Sequence, residues 1–91
     1  MVARRYLISG IVQGVGFRYF VKRKADLYGL AGWVRNLPDG RVEVFAQGEE
    51  EAIGELERDL ERGPSLARVE KVEKFDVSPE KGLNWFEIRF F

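Results

Sequence analysis

The sequence predicts an α+β sandwich, a mostly antiparallel sheet covered on one face by two helices, and three observations lead to it. Strand-like runs and helix-period segments alternate in the order β-α-β-β-α-β, with one more strand-like run at the C-terminus. The helical segments are apolar on one side only, as a layer laid on a sheet requires. The 91 residues suffice for one core and not for two, so residues 1–91 are expected to form a single domain.

Each element has its own physical signal. Arg4 to Ile11 is rich in β-branched and aromatic residues, with Tyr6 and Ile8 on one face and Leu7 and Ser9 on the other, and reads as the first strand. From Phe17 the apolar residues Phe17, Phe20, Val21, Ala25 and Tyr28 follow a helical period, and Gly29 stands where a helix-terminating glycine belongs. Leu30 to Asn36 and Arg41 to Gln47 are two strand-like runs joined by Leu37-Pro38-Asp39-Gly40, a hairpin turn in which proline presets one position. Glu49 to Arg62 carries Ile53, Leu56 and Leu60 at helical spacing, acids in its first turn, a base in its last, and Gly63-Pro64 as a stop. Ala67 to Val77 alternates with a slip between Val69 and Val72, which predicts a strand with a bulge. Trp85 to Phe91 alternates Phe86, Ile88 and Phe90 against Glu87 and Arg89 and closes the sheet. Trp33, Trp85, Phe75, Phe86 and Phe90 could form a stacking platform, but on alternating strands beneath two amphipathic helices they are expected to lie mostly in the core.

This order is that of the ferredoxin-like sandwich, and its topology predicts where chemistry belongs. The first two strands flank a crossover helix and so run the same way, which brings the loop after strand one and the end of strand two to one edge of the sheet. Arg18 and Asn36 are expected to meet there, with the acidic run Glu49-Glu50-Glu51 at the opposite edge.

Composition removes several classes of function. There is no cysteine and no histidine, so disulfides, thiol nucleophiles, imidazole bases and the usual zinc sets are absent from the chain. Fifteen basic residues balance fifteen acidic ones, which leaves no broad positive field for nucleic acid, and no window is apolar enough to span a bilayer. The expectation is a cytoplasmic protein, a monomer or weak homo-oligomer. The high charged fraction, with little Asn, Gln or Met, points to a thermophile source and a heat-stable fold.

Against this sparse background stands Gly10-Ile11-Val12-Gln13-Gly14-Val15-Gly16-Phe17-Arg18, a glycine-punctuated loop that delivers an arginine into the first turn of a helix. Glycines let main-chain N–H groups converge on a ligand, the helix start offers unpaired donors, and a guanidinium matches phosphate geometry. A cation at the positive end of a helix is misplaced unless an anion sits beside it. The spacing is neither the dinucleotide fingerprint nor the Walker loop, so neither NAD nor ATP is implied. Taken singly, the glycines could be a plain turn, Asn36 a turn residue, and Lys22, Arg23 and Lys24 a solvated helix face. Asp39 and Arg41 read as ordinary turn charges.

Two stretches together resemble the two signatures of the acylphosphatase family: Ile8 through Arg18, and Gly32-Trp33-Val34-Arg35-Asn36 followed by Gly40, Val42 and Gly48. The resemblance covers the whole chain. It implies hydrolysis of the carboxyl-phosphate bond of small acyl phosphates, with Arg18 binding the phosphate, the main-chain amides of Gly14, Val15, Gly16, Phe17 and Arg18 wrapping its oxygens, Asn36 orienting the attacking water, and neither metal nor organic cofactor. A carboxylate leaves without protonation at neutral pH, so a chain lacking histidine has the parts that this chemistry needs. The alternative on the same fold is a non-catalytic regulatory module that binds a phosphate ligand.

Overall fold

The computed structural model describes residues 1–90, which build a five-stranded sheet with two helices on one face. The elements are β1 (Val2–Ile11), α1 (Phe17–Leu27), β2 (Ala31–Asn36), β3 (Val42–Gly48), α2 (Glu50–Arg62), β4 (Arg68–Val77) and β5 (Phe86–Arg89). The strand order is β4-β1-β3-β2-β5, antiparallel throughout except for the β2–β5 pair. The expected sandwich and its element order are observed. Of the expected last strand, Phe91 lies outside the described residues.

β3 lies at the centre, and every residue from Val42 to Gln47 is buried. Its helix-facing side chains Val42, Val44 and Ala46 join Tyr6, Ile8 and Val34 from the neighbouring strands, and α1 and α2 close the core with Phe17, Phe20, Val21, Ala25, Ile53, Leu56 and Leu60. α1 lies over β2 and β5, and α2 over β1 and β4. The end of α1 is closed by two bonds, Gly29 N–H to Asp26 O (3.2 Å) and Leu30 N–H to Ala25 O (2.8 Å), the pairing that a glycine after the last turn permits.

The bulge inferred from the slipped alternation is present. Ser9 pairs with Lys71 while Gly10 pairs with Val69, so Glu70 is the extra residue and Val69 and Val72 both turn toward the core. Gly10 is required opposite the bulge, because a Cβ there would come within 2.1 Å of Arg68 O.

The aromatic residues depart from expectation. Of the five expected beneath the helices only Phe86 is there, at 2% exposed. Trp33 lies on the other face of the sheet, stacked on Phe45 with ring centres 6.0 Å apart and flanked by the guanidinium groups of Arg35 and Arg89. Phe75 sits on that face under Arg5, and Trp85 and Phe90 are exposed. Two helices cover only one face of a five-stranded sheet, and period-two alternation sends every second side chain to the uncovered face. There aromatic rings and arginine planes cover one another.

Charge on this uncovered face is organised by Glu43, which accepts hydrogen bonds from Nε of Arg5 on one side and Arg35 on the other. Burial pushes its carboxyl pKa up, but the two arginine bonds outweigh it and hold the group below the ordinary 4.5. On the helix side Glu57 plays a similar part. Its carboxylate, raised by burial and lowered more strongly by bonds from Lys74 and Tyr6, also lies below the ordinary range, while burial pushes the Tyr6 phenol upward. A depressed carboxyl pKa stabilises the fold above the unfolded-state value and loses that contribution as pH falls through the folded one. Glu43→Gln is therefore expected to lower stability by about 1–3 kcal/mol at pH 7. The deficit should shrink below pH 4.5 and vanish once the parent carboxyl is itself protonated. Urea unfolding of both proteins from pH 7 to pH 3 checks this.

Candidate active site

The loop between β1 and α1 carries alternating backbone signs. Gly14 has φ 75° and Gly16 φ 79°, and no non-glycine residue among those described has a positive φ, so Val15 between them is right-handed or extended. Two left-handed residues so close together, just before a helix start, are the backbone setting in which main-chain N–H groups can converge as an anion nest. A Cβ at either glycine would meet nothing within 4 Å, so glycine serves conformation here and not space.

The nest runs into the start of α1. Gly16 is its N-cap, with no capping side chain and no acidic residue in the first turn. The first helical bond is Phe20 N–H to Gly16 O (3.0 Å), so the N–H groups of Phe17, Arg18 and Tyr19 have no intrahelical acceptor. Phe17 anchors this end by its ring, 1% exposed in the core beside Phe20. Val15 points its side chain against the core and carries the main chain from one glycine to the next.

Among the described residues Arg18 is held without a carboxylate. Its guanidinium lies over the Phe90 ring, 4.7 Å from the centre, and Nη1 donates to Arg89 O at 3.4 Å. Among the described residues it makes no ion pair, whereas Arg4, Arg5, Arg35, Arg41, Arg62 and Arg89 each face an acid. The charge is thus aimed but not neutralised. Lys22, one turn on, is tied to Asp26 (2.8 Å) and to Phe86 O (3.1 Å), which fixes α1 against β5 and supports the structural reading of that basic cluster.

Asn36 ends β2 on the same face as Val34, opposite Val42 of β3. It lines a cavity of about 170 Å³ with Gly14, Gly16, Phe17, Arg18 and Tyr19, so the structure brings together the residues that the topology expected to meet. Its Oδ1 is the one buried side-chain polar atom without a hydrogen-bond partner among the described residues. A buried acceptor left unpaired costs free energy in an isolated fold and gains it back when a donor enters. Asp39 and Arg41, in the neighbouring turn, bond to each other at 2.8 Å, in line with their reading as turn charges.

Three participants escaped the sequence reading. Phe90, expected in the core, is 72% exposed and backs the Arg18 guanidinium. Tyr19, 65% exposed, borders the cavity. Gln13, within the glycine motif, gives both side-chain hydrogens to carbonyls of the β2–β3 turn. Only the last carried a signal, a polar residue fixed inside an otherwise glycine and apolar loop.

A glycine loop at a helix start, beside a guanidinium with no acidic partner among the described residues, has the features of an anion site on an α+β sandwich. Comparison with known proteins narrows this class. The acylphosphatase family model matches residues 4–88. An acylphosphatase of Koribacter versatilis is 53% identical over 85 residues, covering 93% of this chain and 77% of that protein. One from a Synechococcus strain is 54% identical, covering 93% and 84%. The crystal structure of acylphosphatase from Bacillus subtilis superposes with a TM-score of 0.94 at 39% identity, covering 98% of this chain and 99% of that one. The chain belongs to the acylphosphatase family.

Gly16→Ala should preserve the fold while forcing a side chain into left-handed backbone, a strain of about 1–2 kcal/mol. Relaxation of that strain would turn an N–H away from the nest, so inorganic phosphate is expected to bind about tenfold more weakly. Gly54→Ala in α2, equally unhindered and without positive φ, should leave phosphate binding unchanged in the same titration.

Proposed function

We propose that this acylphosphatase hydrolyses small acyl phosphates through a fixed cradle, with Arg18 and the main-chain amides from Gly14 to Arg18 binding the phosphoryl group and Asn36 aligning water. The observation that carries the reading is the sharing of one small cavity by an unneutralised guanidinium and an unpartnered carboxamide oxygen. The phosphoryl oxygens accept hydrogen bonds from the nest and from Arg18, whose charge grows in value as negative charge spreads over them in the transition state. A water that donates one O–H to Asn36 Oδ1 keeps a lone pair directed at phosphorus. As the water oxygen bonds to phosphorus, the bond from phosphorus to the acyl oxygen breaks and the carboxylate departs with the electron pair. The water's proton passes to the phosphate, since an amide cannot act as a base.

No step needs an acid, a nucleophilic side chain, a metal or an organic cofactor, and among the described residues no acidic side chain lines the cavity. The further parts of the proposal are that residues 1–91 act as one domain and that the protein is cytoplasmic and monomeric or weakly associating. The exposed β4 edge carries Glu70, Lys71, Glu73, Lys74 and Asp76, which discourage strand pairing between copies. Heat stability is proposed from the linked ion pairs of Arg4, Glu57, Lys74 and Asp76, because such networks lose less to desolvation as temperature rises.

Hydrolysis of benzoyl phosphate in the presence of a chelator is the test. Arg18→Ala and Asn36→Ala should each lower turnover by about a hundredfold or more. Retention of parental turnover by either variant refutes its assigned role, and loss of the parent's activity on chelation refutes metal independence. In a thermal melt at pH 7 the parent should unfold above about 80 °C, beyond the mesophile range, and a midpoint near 55 °C removes the thermophile assignment.

A further inference from the structure

We infer that Gln13 is a positioning residue, the bridge that sets Asn36 at its working distance from the phosphate cradle; the inference rests on the roles proposed above for the cradle and Asn36. The two halves of the site have no direct main-chain connection. β1 and β2 are separated by β3, so the strand ends that bear them lie about 10 Å apart, two strand spacings, and meet only through the sheet's last pairs. Strand ends fray and hairpin turns open more readily than sheet centres. A site that needs two groups aligned across such a gap needs a tie.

Gln13 supplies it. Its Nε2 donates to Leu37 O at 2.8 Å and to Arg41 O at 2.9 Å, using both amide hydrogens. These carbonyls belong to the residues that close the β2–β3 turn, where Leu37 N–H also donates to Arg41 O at 2.8 Å. The attachment points are adjacent to the chemistry on both sides. Gln13 directly precedes Gly14 of the nest, and Leu37 directly follows Asn36. Both carbonyls retain a main-chain donor without Gln13, Leu37 O from Gly40 N–H (3.1 Å) and Arg41 O from Leu37 N–H. The turn therefore closes by itself, and what Gln13 adds is its placement relative to the cradle. A carboxamide with two donors on one nitrogen suits the task. A carboxylate would repel both carbonyls, and an apolar residue would leave the halves untied.

Gln13→Met, similar in length and lacking donors, is expected to lower kcat on benzoyl phosphate by about tenfold to a hundredfold, the scale set by small misplacements of an aligned group. KM and the Kd for inorganic phosphate should stay within about threefold, because the nest and Arg18 remain, and phosphate binding also reports that the variant is folded. Gln13→Lys, which restores donors at similar reach, should recover most of the lost kcat. In an Asn36→Ala background Gln13→Met should cost less than about twofold more, since the bridge then has nothing to position. Should Gln13→Met fail to fold, Gln13→Glu is measured in its place with the same expectations. An unchanged kcat, a parallel loss of phosphate affinity, or an undiminished effect in the Asn36→Ala background overturns the inference. If Asn36→Ala alone leaves kcat intact, the failure lies in the role of Asn36; if only the Gln13 variants are silent, it lies in the bridge.

Discussion

Strand direction is the constraint on which the site depends. β3 lies between β1 and β2 and runs against both, so β1 and β2 point the same way and their C-terminal ends open at one edge. The crossover through α1 then places a helix start at that edge, since the chain must leave β1 there and return to begin β2 at the other end. An anion nest, a helix N-terminus and the last residue of β2 are thereby gathered with no functional residue having to reach across the fold. The same direction sends the acid-rich start of α2 to the far edge, beside the end of β3.

Within that frame the proposed chemistry rests on rigidity and charge placement. The two left-handed glycines fix the main chain, Phe17 pins the helix start in the core, and Phe90 with Arg89 O holds the guanidinium from behind. An aromatic face and a carbonyl can orient a guanidinium without cancelling its charge, which a carboxylate would do. Among the described residues the arginine at the loop is accordingly left without an acidic partner, whereas many others have one. Preorganisation of this kind suits a reaction whose leaving group needs no proton and whose transition state chiefly needs its charge met.

The two faces of the sheet divide the labour. The helix-covered face holds the aliphatic core and, at its edge, the cavity; the other face has no helix and buries its area with stacked Trp33 and Phe45, three arginine planes and the Glu43 ion pairs. Arg89 belongs to both arrangements, with its side chain over Trp33 and its carbonyl on Arg18. β5 thus links the open face to the site, although it comprises only four residues.

The sequence by itself determined the element order, the hairpin, the bulge near Glu70 and the meeting of Arg18 with Asn36. Each of these follows from local rules, namely periodicity, turn chemistry and the direction that a crossover imposes. The bulge is instructive, because a slip of one residue in an alternating strand has a single geometric meaning. Tertiary structure alone decided which face each aromatic occupies, since alternation assigns residues to two faces without saying which one the helices cover. It alone decided the bonds of Gln13 and the backing of Arg18 by Phe90, partners 24, 28 and 72 positions away along the chain. A side chain's own neighbours carry no trace of a contact made at such a distance; only the assembled sheet brings the two together.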